Sequence, residues 1–166
     1  MEKELIESKI FFEKEDAAQP LNRWRFAQKK MVFTNGCFDL LHAGHIDLLL
    51  KASQLGEVLL VGLNSDRSVK ELKGKSRPIN SQNARAIVLA SLKMVDGVFI
   101  FDEATPEELI KFIQPDVLVK GADYTPDRIA GAEFIKSKGG EVVTIALVEG
   151  YSTSAIERKI IDDAVK

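Results

Sequence analysis

The chain holds only two histidines, His42 and His45, and they stand three residues apart. On a helix this spacing puts two side chains on one face. The stretch before them, Thr34-Asn35-Gly36-Cys37-Phe38-Asp39-Leu40-Leu41, follows an apolar run and reads as a loop. The pair is therefore expected at a helix start, where unpaired N–H groups and partial positive charge make a natural phosphate seat. Two imidazoles there can donate hydrogen bonds to phosphate oxygens, and Gly44 between them lets a ligand approach the backbone. The plain alternative is a pair of surface or capping histidines. Cys37, inside the same stretch, reads as a small buried residue rather than a nucleophile. Asp39 either orients the loop or contacts substrate.

The elements that must position this pair follow from the hydrophobic pattern. Apolar, β-rich runs lie at 31–33, 58–63, 98–101, 117–119 and 142–147, separated by helix-like segments near 43–55, 81–94, 105–113 and 127–138, with a last one at 153–165. Strand–helix alternation with near-continuously apolar strands predicts a doubly wound, Rossmann-like α/β domain: a five-stranded parallel sheet with helices on both faces. The domain is expected over 31–166. Residues 1–30 read as a lead-in packed on it, interrupted by Pro20, with a short helix over 21–30. No repeat or low-complexity tract is present.

In such folds ligands bind at the carboxyl ends of the strands. Polar or glycine-bearing loops follow four of the five runs: the histidine stretch, then Asn64-Ser65-Asp66, then Lys120-Gly121-Ala122-Asp123-Tyr124, then Gly150-Tyr151-Ser152-Thr153-Ser154. One mouth built from four loops is the simplest arrangement. Ser154-x-x-Glu157 predicts a capping box for the last helix. The same exposed N–H groups and hydroxyls could hold phosphates. Asp123 alone could be a turn-capping aspartate. Gly74-Lys75-Ser76 is not a P-loop, because Val69 stands where that motif needs glycine.

The string Gly36-x-Phe38-Asp39-x-x-His42-x-Gly44-His45 resembles the signature of the cytidylyltransferase-like superfamily. Leu72-Lys73-Gly74-Lys75-Ser76-Arg77-Pro78-Ile79, Arg85-Ala86-Ile87-Val88-Leu89-Ala90, Leu118-Val119-Lys120-Gly121-Ala122-Asp123-Tyr124 and Gly139-Gly140-Glu141-Val142-Val143 resemble the adenylyltransferase domain of bacterial ADP-heptose synthases. The match runs from about Met31 to Ile160. The resemblance implies transfer of AMP from ATP to D-glycero-β-D-manno-heptose 1-phosphate, giving pyrophosphate and the ADP-heptose of lipopolysaccharide core. It implies that His42, His45 and Lys73 are catalytic, the histidines stabilising transition-state charge without a covalent intermediate. It places Asn35, Gly36, Cys37, Phe38, Gly44, Lys75, Lys120, Gly121, Asp123, Tyr151, Ser152, Thr153 and Ser154 around the nucleotide. Asp39, Asn64, Asp66 and Arg85 are assigned to the acceptor. Lys73 and Lys75 would close on the triphosphate from a mobile segment.

No acidic cluster suggests a protein-bound metal, so Mg²⁺ is expected to arrive on the triphosphate. The fused sugar kinase common in the family does not fit in 166 residues, which implies a stand-alone form, a separate heptose kinase and a homodimer. Related glycerol-phosphate cytidylyltransferases carry arginine near Leu147. Its absence weakens the alternative of CTP with glycerol 3-phosphate. A nucleotide-binding module without turnover is the alternative outside the enzyme class. The net charge of −2, with 29% charged residues, argues against a nucleic-acid partner. No apolar stretch approaches membrane-span length, and the charged first residues do not read as a signal peptide. With a single cysteine, a cytoplasmic setting is expected.

Overall fold

The apolar runs become strands because all but the last are largely buried, and a segment with no wet side has to satisfy its backbone within a ladder; the last pairs as a half-buried edge. In the computed structural model, which describes residues 2–122 and 129–164, they are β2 (Met31–Gly36), β3 (Val58–Asn64), β4 (Gly97–Phe101), β5 (Val117–Gly121) and β6 (Glu141–Ile145). All seven residues of β3 are buried. The α-helices among the described residues are α1 (Glu2–Glu7), α2 (Ala18–Phe26), α3 (Ala43–Ser53), α4 (Asp66–Lys73), α5 (Gln82–Ala90), α6 (Glu107–Ile113), α7 (Ala132–Ser137) and α8 (Thr153–Ala164).

The sheet has six strands, not the five expected. The order is β1-β4-β3-β2-β5-β6, and every pairing is parallel. The extra edge strand, β1 (Ile10–Phe11), comes from the lead-in. Two residues are too short to show a period, so nothing in the sequence marks them as a strand. Tertiary contacts make them one. Lys9 O accepts from Val98 N, Lys9 Nζ donates to Val95 O, and the Phe11 ring packs 4.8 Å from that of Phe99. Pro20 does not interrupt the lead-in either. It is the third residue of α2, in the first turn, where a missing N–H costs nothing.

Side chains alternate between two cores. Phe33, Leu60, Phe99 and Leu118 pack with Leu21, Leu109, Ile110, Ile113 and Ile135, under α2, α6 and α7. Val32, Leu59, Val61, Val98 and Val119 pack with Leu49, Ala52, Ala86 and Leu89, under α3 and α5. The helices are shorter than the pattern predicts where the backbone turns. Gly131, at φ +85, precedes α7, and a Cβ there would meet Ile110 at 2.7 Å. α8 buries no residue, and Ile160 and Ile161 are 60% and 61% exposed. Among the described residues, no helix is long and apolar enough to cross a membrane.

Because Phe11 ties the lead-in to the sheet, Phe11→Ala should destabilise the protein by about 3–5 kcal/mol, read as a lowered urea midpoint with unchanged slope. A loss below about 1 kcal/mol would mean that the lead-in is not part of the cooperative unit.

Candidate active site

Strand order reverses between β2 and β5. From β2 the sheet grows through β3 to β4 on one side, and from β5 to β6 on the other. The loops leaving neighbouring β2 and β5 therefore part to opposite faces and open a crevice at their carboxyl ends. The histidine loop leaves β2 at this point. Across from it, Lys120 Nζ donates to Asn35 O at 3.4 Å, and Gly121 is buried at the end of β5.

Each residue of the signature has a local physical reason. Phe38 sits at φ +45, in the left-handed region that a bulky side chain enters only when its surroundings hold it there. Its ring turns back over Gly36, where a Cβ would meet it at 3.1 Å, and packs 5.1 Å from the His45 ring. Asp39 is buried and accepts from Ile79 N and Asn80 N, both at 2.9 Å, while Arg77 Nε lies 2.8 Å from its Oδ2. The Asp39 carbonyl accepts from Asn80 Nδ2. Burial alone would raise the Asp39 carboxyl, but the Asn80 and Ile79 amides and the Arg77 charge outweigh it and hold it below the usual carboxylate range. Of the two roles open to Asp39, the structure gives it loop orientation.

His42 is the N-cap of α3, extended at φ −141 and ψ 170, and its carbonyl accepts from His45 N and Ile46 N. The two imidazoles stack with centroids 3.8 Å apart and planes 20° apart. Their Nδ1 atoms are buried and have no hydrogen-bond partner in the protein. Burial pushes both rings below the ordinary histidine value. His45 falls to about 4, helped by the charges of His42 and Lys73. Both are therefore neutral at pH 7, as a face-to-face pair must be, since two stacked cations would repel. A Cβ on Gly44 would meet His42 Nδ1 at 3.1 Å and Tyr151 Cβ at 3.3 Å. Glycine here lets the histidine ring and the turn before α8 close on the helix start together.

Lys73 and Lys75 are exposed. Lys73 is the last residue of α4 rather than part of a loop, and Gly74, at φ +97, ends the helix. The Lys73 ammonium is near enough to bias His45 and Cys37. Burial nevertheless raises the Cys37 thiol, which keeps it protonated. Asn35 Oδ1 is a buried acceptor with no partner. Ser152, not Ser154, caps α8: its Oγ accepts from Ala155 N at 3.1 Å. The expected capping box does not form: Ser154 lies inside α8, and Glu157 pairs with Arg77. Thr153 and Ser154 are the first residues of α8. Asp123 and Tyr124 lie outside the described residues.

Arg85 has a different job from the one expected of it. It is 2% exposed and donates to Asn80 O, Cys37 O, Asn64 O and Asp66 Oδ1. Asn64, 4% exposed, donates to Ser68 Oγ, and Asp66 N donates to Gln82 Oε1. Arg85, Asn64 and Asp66 thus form a strut beneath the loops after β2 and β3, with Arg85 and Asn64 buried and one oxygen of the part-exposed Asp66 carboxylate held by Arg85. Nothing in the sequence pairs Arg77 with Glu157, which reads there only as half of a capping box. Their pairing joins segments 80 residues apart. A cavity of about 630 Å³ lies at the opposite ends of β2, β5 and β6, lined by Lys29, Lys30 and Lys138. Lys29 and Lys30 are paired there with Glu57 and Glu141, so it is no rival anion seat.

Arg85→Ala should cost about 3–5 kcal/mol of stability, since it leaves a carboxylate and three carbonyls without their donor. Equilibrium unfolding checks this, and an unchanged midpoint would remove the strut. His45, with a folded value of about 4 against an ordinary 6.5, makes the folded state bind fewer protons than the unfolded one in that window. Its contribution to stability is full above pH 6.5 and is lost as pH falls toward 4. Proton NMR titration should give a His45 midpoint near 4, and a midpoint near 6.5 would contradict the half-buried neutral pair.

Residues 33–159 match the family model described as Cytidylyltransferase-like. The chain is 52% identical over 144 residues to the Bifunctional protein HldE of Gluconobacter oxydans, covering 87% of this chain and 30% of that protein. It is 56% identical over 138 residues to the HldE of Wolinella succinogenes, covering 83% and 28%. It is 58% identical over 132 residues to the HldE of Campylobacter fetus, covering 80% and 28%. The chain thus spans under a third of the length of the curated relatives it matches. Among solved structures, the lipopolysaccharide core biosynthesis protein of Thermoplasma volcanium aligns with a TM-score of 0.59 at 29% identity, over 75% of this chain and 99% of that one. With the signature folded around a stacked histidine pair at the strand-order reversal, the chain belongs to the cytidylyltransferase-like nucleotidyltransferases.

Proposed function

We propose that the protein transfers AMP from ATP to D-glycero-β-D-manno-heptose 1-phosphate, releasing pyrophosphate and forming ADP-heptose. The observation that carries the transfer chemistry is the neutral His42–His45 stack at the start of α3. A phosphate oxygen of the acceptor attacks the α-phosphorus of ATP in line, and the bond to pyrophosphate breaks as the new one forms. The attacking oxygen is already anionic, so no proton has to be removed. Positioning and charge stabilisation are what the protein must supply. The imidazoles donate to the α-phosphate oxygens as their charge grows. Lys73 and Lys75 meet the triphosphate from the end of α4, and the turn at 152–154 offers the amides that begin α8. Magnesium comes with ATP as part of the substrate. Among the described residues, no group of three or more His, Cys, Asp or Glu side chains could hold a metal.

The choice of ATP and of the heptose rests on the similarity to the HldE proteins and on Leu147, which stands where a cytidylyltransferase of glycerol phosphate places arginine. A panel of nucleoside triphosphates against sugar 1-phosphates and glycerol 3-phosphate, read by pyrophosphate release, tests it. Faster turnover with CTP and glycerol 3-phosphate would overturn the substrate assignment. Binding of ATP with no pyrophosphate from any acceptor would favour a nucleotide-binding module.

His42→Ala and His45→Ala should each fold, as circular dichroism will report, and lower kcat by about 10²–10³ with a smaller change in KM. Their effects should be non-additive, because both rings act on one group. Near-normal turnover in either folded variant takes that histidine out of the mechanism. Lys73→Ala should cost roughly 1.5–3 kcal/mol in kcat/KM, the worth of one charge-assisted phosphate contact.

A further inference from the structure

Arg77 lies outside every contact discussed for the reaction, yet it sits where three segments of the site meet. It is 7% exposed. Its Nε lies 2.8 Å from the buried carboxylate of Asp39, in the histidine loop, and its Nη1 donates to Glu157, in the second turn of α8. Two residues before it is Lys75, and Arg77 N donates to Gly74 O at 3.1 Å, folding the residues after α4 into a turn. Asp39 also holds the amides of Ile79 and Asn80. One guanidinium therefore joins the loop bearing His42 and His45, the segment bearing Lys73 and Lys75, and the helix whose start is Ser152 to Ser154. The Arg77–Glu157 contact matters most for α8. That helix buries no residue of its own, so apolar packing does little to fix its approach to the sheet.

We propose that Arg77 is a positioning residue for the triphosphate: paired with Asp39 and Glu157, it sets the spacing between the histidine loop, the lysine segment and the start of α8. This rests on reading the site as one for a nucleoside triphosphate. Arg77 acts through the groups it holds, and its side chain is closed to solvent. Planar guanidinium geometry suits a bridge between two carboxylates, which a lysine ammonium reproduces only in part.

The test uses the full chain and Mg·ATP. Affinity is measured by calorimetry without acceptor, and turnover by pyrophosphate release. Glu157→Gln keeps a half-exposed oxygen that can still accept from Arg77, so the variant should fold with at most a small drop in melting temperature while its Kd and KM for ATP rise roughly tenfold, with kcat at saturating ATP changed far less. Arg77→Gln should do the same or more, and Arg77→Lys should recover part of the loss. Lys73→Ala combined with Glu157→Gln should weaken ATP binding by less than the product of the two single effects, because the lysine is already displaced in the second variant. A merely structural role would leave that coupling at zero. If Arg77→Gln does not fold, Glu157→Gln and the double variant decide. Wild-type affinity for ATP in folded Glu157→Gln, or strict additivity with Lys73→Ala, overturns the proposal. Failure of the wild-type protein to bind any nucleoside triphosphate overturns the reading of the site beneath it.

Discussion

The reversal of strand order between β2 and β5 is the constraint on which the site depends. Neighbouring parallel strands whose connections run to opposite faces leave a crevice that no side chain of the sheet can fill. Everything placed there has to be held by loops, and loops have no ladder to define them. The protein answers with buried polar bridges. Asp39 fixes the histidine loop to residues 79 and 80, and Arg85 fixes the same loop to the ends of β3 and α5. Both are charged groups almost closed to water. A charge so placed is tolerated only because each of its partners is in place.

This arrangement gives the histidine pair its chemical character. The imidazoles are forced together over Gly44, against the Phe38 ring, in a setting too dry for two positive charges. A neutral imidazole still offers one N–H as a donor, without acting as a counter-ion. A neutral donor held rigidly gains little from a resting phosphate and more from one whose oxygens gather charge during attack, which is the condition for lowering a barrier rather than merely tightening binding. In the proposed reaction the positive charge comes separately, from Lys73 at the exposed end of α4 and Lys75 just after it. On the proposed reading, fixed neutral donors and exposed cations divide the two tasks of orienting the α-phosphate and gathering the triphosphate.

What the sequence by itself determined is whatever repeats along the chain or sits within a few residues. The period of apolar runs shows the doubly wound fold, since strands buried on both faces and helices buried on one leave different patterns. The histidine spacing and Gly44 are local, so the placement of the pair at the start of α3 was legible before any coordinates. Tertiary structure decided what joins distant segments. β1 is a strand only because β4 offers it an edge. Ser152 caps α8 in place of Ser154 because the helix begins at Thr153, and Glu157 pairs with Arg77, 80 residues away. Arg85 and Asn64 look like ligand-binding residues in the sequence, being polar and near a strand end. In the fold they face inward, where carbonyls of residues 37, 64 and 80 converge on one guanidinium. Polarity alone does not tell a side chain that binds a ligand from one that braces the loops around it. The two differ in whether their partners lie in solvent or in the protein, and that is settled only when the chain has closed on itself.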